Sequence, residues 1–177
     1  MRVSPAAGAA FVILSVLATI ICAGVLPAYA QTEARLRSIR VEVDRIDLEQ
    51  AKLRSEKKDL DGISVSAEGR WYLSQNKLRK MVAVIRGKTG ASENEYYYSD
   101  DNLIFAHHRW TKFDRPAEEG PTRAKQIQIT TAYFEAGKCI SLTVDGKPIA
   151  EGTEEWTEAL GSVLATSSLF KSRMANP

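Results

Sequence analysis

Two adjacent histidines, His107 and His108, are the side chains of this chain best suited by type to hold a metal ion or move a proton. In an extended segment, neighbouring side chains point to opposite faces, so the pair is poorly placed to share one ion. No cysteine or carboxylate stands beside them at ligand spacing. A Ser–His–Asp triad would have to use one of these two residues, and no serine lies in a nucleophile elbow. Asp100-Asp101-Asn102 offers oxygen ligands, but a calcium loop spreads more of them over a longer stretch and closes on a glutamate. Those residues read as a hairpin turn. Arg86-Gly87-Lys88-Thr89-Gly90 lacks the spacing and the following helix of a phosphate loop. No catalytic residue, cofactor site or metal ligand is assigned, and the chain is expected not to be an enzyme.

The remaining chemistry is aromatic. Trp71, Tyr96, Tyr98 and Phe105, with His107 and Arg109, form the candidate binding patch on a sheet surface. Core packing is the competing use of the same rings, because aromatic residues are good strand formers.

The elements that would position these residues follow from periodicity. A helix is expected over residues 31–61, with Leu36, Ile39, Val43, Ile46, Leu53 and Leu60 on one stripe and Asp61-Gly62 as its stop. Gln50 and Lys57 interrupt that stripe, which favours a helix lying on its own domain over a coiled-coil dimer. A β-meander is expected over residues 62–150, built from three hairpin units. Each has an aromatic strand, a tight polar turn and an apolar strand: Trp71 to Ile85, Tyr96 to Trp110, and Ala132 to Val144. Tyr72, Tyr97 and Tyr133 coincide in the three units, as do Leu78, Leu103 and Cys139. Asp145-Gly146 adds a further turn, and polar loops are expected at Arg86 to Asn94 and Asp114 to Ala124. Met81, Ala83, Ile85, Ala106, His108, Trp110, Leu142 and Val144 share the core face. A closing helix is expected over residues 153–171, capped by Thr153. The expected fold is α+β: an N-terminal amphipathic helix, an antiparallel meander of about six or seven strands, and a C-terminal helix.

Residues 1–30 have the order of a cleavable signal peptide. Arg2 is followed by an uncharged stretch from Ala6 to Leu26, then Pro27 and Ala28-Tyr29-Ala30 before a cut ahead of Gln31. A permanent membrane anchor is the rival reading of the apolar run. Lipidation at Cys22 is another, although Ile21 and Thr19 make a poor lipobox. The expected location is therefore periplasmic or secreted, with residues 31–177 as a single exported domain and no stable span after cleavage. The full chain carries a net charge of +2. Arg2 is the leader's sole charge, so the exported part stays near neutral and lacks the basic excess of a nucleic-acid binder. Removing Cys22 leaves Cys139 without an internal disulfide partner, and its strand context suits a core position.

The segments 95–105 and 131–140, with Asn76 to Met81, resemble a set of small bacterial exported proteins and lipoproteins. Their shared signature is a Tyr-Tyr-Phe strand, an Asp-Asn-Gly-Lys-Leu turn and a second apolar strand. The similarity covers about Glu68 to Ile149, with the turn glycine replaced at Asn76 and Asp101. It implies hairpins and carries no catalytic residues. The functional expectation is a non-enzymatic domain that binds another protein or a cell-envelope component, as a monomer or a helix-mediated dimer. The alternative is a small-molecule or lipid binder with a pocket between helix and sheet. An uncharacterised hydrolase is a third reading.

Overall fold

A computed structural model describes residues 10–60, 62 and 65–174, with side chains from residue 30 onward. The expected leader as far as Tyr29, Cys22 included, lies outside the residues whose side chains are described. The chain forms two compact units that meet between Ser38 and Ile39. Helix α1, Ala10–Glu49, crosses that boundary.

An eight-stranded antiparallel sheet follows in simple sequential order. Its strands are β1 (Arg54–Asp59), β2 (Ser66–Ser74), β3 (Lys77–Arg86), β4 (Gly90–Ser99), β5 (Asn102–Phe113), β6 (Ala124–Glu135), β7 (Lys138–Val144) and β8 (Lys147–Pro148). Helix α2, Glu154–Met174, closes the chain. The α+β meander flanked by helices matches the sequence expectation, with more strands than the six or seven expected.

The extra strand is β1, which falls where the first helix was expected to continue to residue 61. The helix instead stops at Glu49, a short 3-10 turn covers Gln50–Lys52, and the chain pairs along β2. Between Leu53 and Leu60 there is no apolar residue, so a helix there would have no face to bury. As an edge strand the same residues satisfy their backbone on one side, and their charges discourage pairing on the other. Lys57 bonds Glu68 across the ladder at 2.8 Å.

The expected loop at Arg86 to Asn94 is also largely strand. Gly87 N–H bonds Gly90 O at 2.8 Å, and β4 begins at Gly90. Polar Ser92, Glu93, Asn94 and Glu95 read as loop in the sequence, yet they alternate between the two faces of an interior strand.

Four of the hairpins turn through two residues with positive φ: Gln75-Asn76, Asp100-Asp101, Ala136-Gly137 and Asp145-Gly146. That left-handed pair matches the right-handed twist of the strands. Asn76 and Asp101 hold the conformation without glycine, as Asn and Asp tolerate it best. In the first three of these the register slips by one residue just past the turn, at Tyr72/Leu73, Tyr97/Tyr98 and Tyr133/Phe134. The slip brings Leu78 and Met81, or Leu103 and Ala106, onto the same face at a spacing of three.

On that face Trp71, Leu78, Met81, Tyr96, Tyr98, Ala106, Ala132, Phe134 and Leu142 pack against Val163 and Phe170 of α2. The opposite face carries Tyr72, Lys80, Tyr97 and Tyr133, all buried. There the residues of α1 after Ser38 supply Ile46, 2% exposed, and the partners of Lys80 and Tyr133. The α1 stripe thus holds as far as Ile46. Leu53, Lys57 and Leu60 lie beyond the helix.

Candidate functional site

The six residues of the expected aromatic patch do not share a surface. Trp71, Tyr96 and Tyr98 are buried in the core beneath α2. Phe105 lies on the other face, where its ring meets Tyr97 at 5.6 Å and Tyr133 at 5.0 Å. His107 and Arg109 alternate with the core positions of β5, pairing with Glu95 and Glu93. Large apolar area decides the matter: such rings gain more from burial than from display.

A cleft forms elsewhere, from the way α2 is anchored. Thr153 caps the helix, its Oγ1 accepting from Trp156 N–H at 3.2 Å. The C-terminal half is held down by Val163, Ser167 and Phe170, by a 2.8 Å bond between Tyr98 OH and Ser167 Oγ, and by Lys171 donating to Asp101 O at 3.0 Å. Toward its N-terminal end the helix overhangs a cavity of about 430 Å³, with Glu155, Glu158, Ala159, Ser162 and Thr166 along one side.

The floor follows from strand register. Met81, Tyr96, Ala106, Ala132 and Leu142 are direct cross-strand neighbours and form an apolar row. Two residues along each strand, the next row on that face reads Ala83, Asn94, His108, Thr130 and Val144. The row beyond it reads Ile85, Ser92, Trp110 and Gln128. Polarity therefore changes abruptly along the strands at the point where α2 lifts away. Trp110 has the expected face but is 40% exposed, because this end of the sheet has no helix pressed on it.

His108 is the central residue of that floor. It is 9% exposed, its ring meets Tyr96 edge-on at 5.2 Å, and its Nε2 has no hydrogen-bond partner. Burial, with a smaller contribution from the charge of His107, lowers its pKa from 6.5 to about 4. The imidazole is therefore neutral at ordinary pH, with one ring nitrogen able to accept and one to donate. Asn94 is fixed beside it by bonds from Nδ2 to Ala83 O at 3.3 Å and Ser92 Oγ at 3.0 Å. The Tyr96 hydroxyl is also buried without a partner at hydrogen-bonding geometry, near Thr166.

Among the described residues no set of three His, Cys, Asp or Glu side chains could hold a metal ion. His107 and His108 point to opposite faces, as strand geometry requires. Cys139 is half-buried, donates to Ser141 O at 3.4 Å, and has its pKa raised chiefly by burial, the profile of a packing thiol. Arg86 to Gly90 leads into a strand, so no helix N-terminus stands there to receive a phosphate. Among the described residues no helix is long and apolar enough to cross a membrane.

The residues that make the cleft were largely missed from the sequence. Ser92 and Asn94 sat in an expected loop, and Gln128 and Thr130 lay outside the third hairpin as drawn. Glu155, Glu158, Ser162 and Thr166 carried no motif. The usable signal was the alternation Gln126, Gln128, Thr130, Ala132, which marks one strand face turning from polar to apolar. No protein-family model matches the chain, and neither a curated protein nor a solved structure matches it.

Proposed function

We propose that the protein is a non-enzymatic binding domain of the cell envelope that holds a small ligand in the cleft between α2 and the sheet. The observation that carries this reading is the cavity of about 430 Å³, floored by Asn94, His108, Trp110, Gln128 and Thr130 and overhung by α2. The volume is that of an ordinary small-molecule site. Export by the residue 1–30 leader supplies the location, and the cleft replaces the aromatic patch as the binding surface. It lies between α2 and the sheet.

Thermal-shift screening of a metabolite library against the full exported chain and its Ser162→Phe variant tests the cleft. Ser162 is an exposed wall residue, so the added ring fills the mouth without entering the core. Compounds that stabilise the parent chain and not the variant support the reading. The absence of any such compound overturns it. N-terminal sequencing of the exported protein tests the location. A start at Gln31 supports a soluble envelope protein, a start at Cys22 replaces it with a lipid-anchored one, and retention of Met1 in the cytoplasm removes export altogether.

A further inference from the structure

We propose that the ligand of this cleft is a small organic cation, an ammonium group carried on a compact body. The proposal rests on the cleft being a binding site and adds the chemistry that the site selects.

Charge is the first argument. Of the residues lining the cavity only Glu155 and Glu158 are formally charged, and there is no lysine or arginine among them. Several other acids of this chain are matched: Glu42 with Arg45 and Arg79, Asp47 with Lys80, Glu68 with Lys57, Asp100 with Lys77, Glu118 with Lys88. Glu155 and Glu158 have no ion-pair partner among the described residues. They stand three apart on one helix face, an arrangement that repels unless a positive charge comes between them. The positive end of α2 tolerates them but lies on the helix axis, away from the sheet.

The floor supplies the second argument. Trp110, 40% exposed, presents indole surface across the cavity from the two carboxylates. An aromatic face opposite an anionic rim is the pairing that attracts an ammonium, especially an alkylated one. His108 contributes no opposing charge, because its imidazole is neutral. Ser92, Gln128 and Thr130 add oxygen acceptors. An anion would meet two carboxylates and no cation in the same space.

The test compares isosteres. Choline and ethanolamine are titrated against the full exported chain by calorimetry, alongside 3,3-dimethylbutan-1-ol, the uncharged carbon analogue of choline. At least one cation is expected to bind roughly tenfold more tightly than the alcohol, the scale of one exposed ion-pair site combined with one cation–π contact. Glu155→Gln/Glu158→Gln is expected to bring cation and alcohol to near parity, and Trp110→Leu to weaken the cation alone. Equal binding of cation and alcohol overturns the proposal while leaving the cleft as a ligand site. Failure of every probe at millimolar concentration, when the library yields compounds sensitive to Ser162→Phe, also overturns the cation and keeps the cleft. Failure of both experiments removes the cleft as well.

Discussion

The Lys80 ammonium lies 2.7 Å from Oδ1 of Asp47, joining the middle of β3 to the last turn of α1. Lys80 is 5% exposed, and its ammonium also sits 3.4 Å from Glu95 and over the Tyr97 ring at 4.8 Å. Tyr97 donates its hydroxyl to the same Asp47 carboxylate at 3.0 Å. Burial, with the two neighbouring carboxylates, raises the Tyr97 pKa, so the phenol stays protonated and remains a donor. Helix and sheet are thus held by polar groups as well as by Ile46.

The two ends of that ion pair are unequal, and substitution should show it. Asp47→Ala leaves a buried ammonium and a phenol without their shared acceptor. Its expected cost is about 2 kcal/mol, at the low end for a broken buried pair because Asp47 is partly exposed. Lys80→Met removes the buried charge, keeps the apolar stem, and leaves Asp47 in reach of water and Tyr97. Its expected cost is below about 1 kcal/mol. Urea unfolding midpoints of the two variants decide the point, and a costlier Lys80→Met contradicts it.

Gly69 is required by the packing of Trp71 across it. A Cβ at residue 69 would overlap the six-membered ring of the Trp71 indole, which is wholly buried. Gly69→Ala is expected to cost about 2 kcal/mol by forcing the ring off its position, with a shift in tryptophan emission. The same change in a Trp71→Leu background should cost much less, since the overlapping atoms are gone. Equal costs in both backgrounds would place the requirement in the backbone instead.

Turn chemistry offers a gain in stability. Ala136 has φ +48°, a conformation that an alanine side chain disfavours by roughly 1 kcal/mol. Asparagine tolerates it and does not enlarge the unfolded ensemble as glycine would. Ala136→Asn is expected to raise stability by several tenths of a kcal/mol, read as a higher melting temperature. Gly137→Val, at the neighbouring φ of +77°, should lower it.

The hairpins were legible in the sequence because one short signal sets each of them. Two turn residues fix the register, and aromatic and aliphatic residues on either side fix the face. The second helix was legible from the Thr153 cap, although Leu164 and Leu169 within it are exposed, since only one face of α2 meets the sheet. Strand β1 was not legible. Its six residues contain no apolar side chain, and its strand character comes from the free edge of β2. The cleft was not legible either, for a different reason. Asn94, His108 and Thr130 are brought into one row by cross-strand register, and the gap above them depends on where a helix far along the chain is pinned.

The depressed pKa of His108 makes stability depend on pH with a definite sign. In the unfolded chain the imidazole takes up a proton near pH 6.5, while in the folded chain it does so only near pH 4. Between those values the unfolded state holds more protons, so unfolding becomes easier as the pH falls through that window. Full stability from this group is present above about pH 6.5 and has been lost by about pH 4. A shift of this size corresponds to about 3 kcal/mol across the whole window. His108→Gln, uncharged throughout, should be less sensitive to acid by nearly that amount. Denaturant unfolding of both proteins at several points between neutrality and mild acid supplies the difference curve, in which the carboxylates common to both cancel. A flat difference curve would mean that the folded chain admits water or a counter-ion to His108 and leaves its imidazole free to titrate normally.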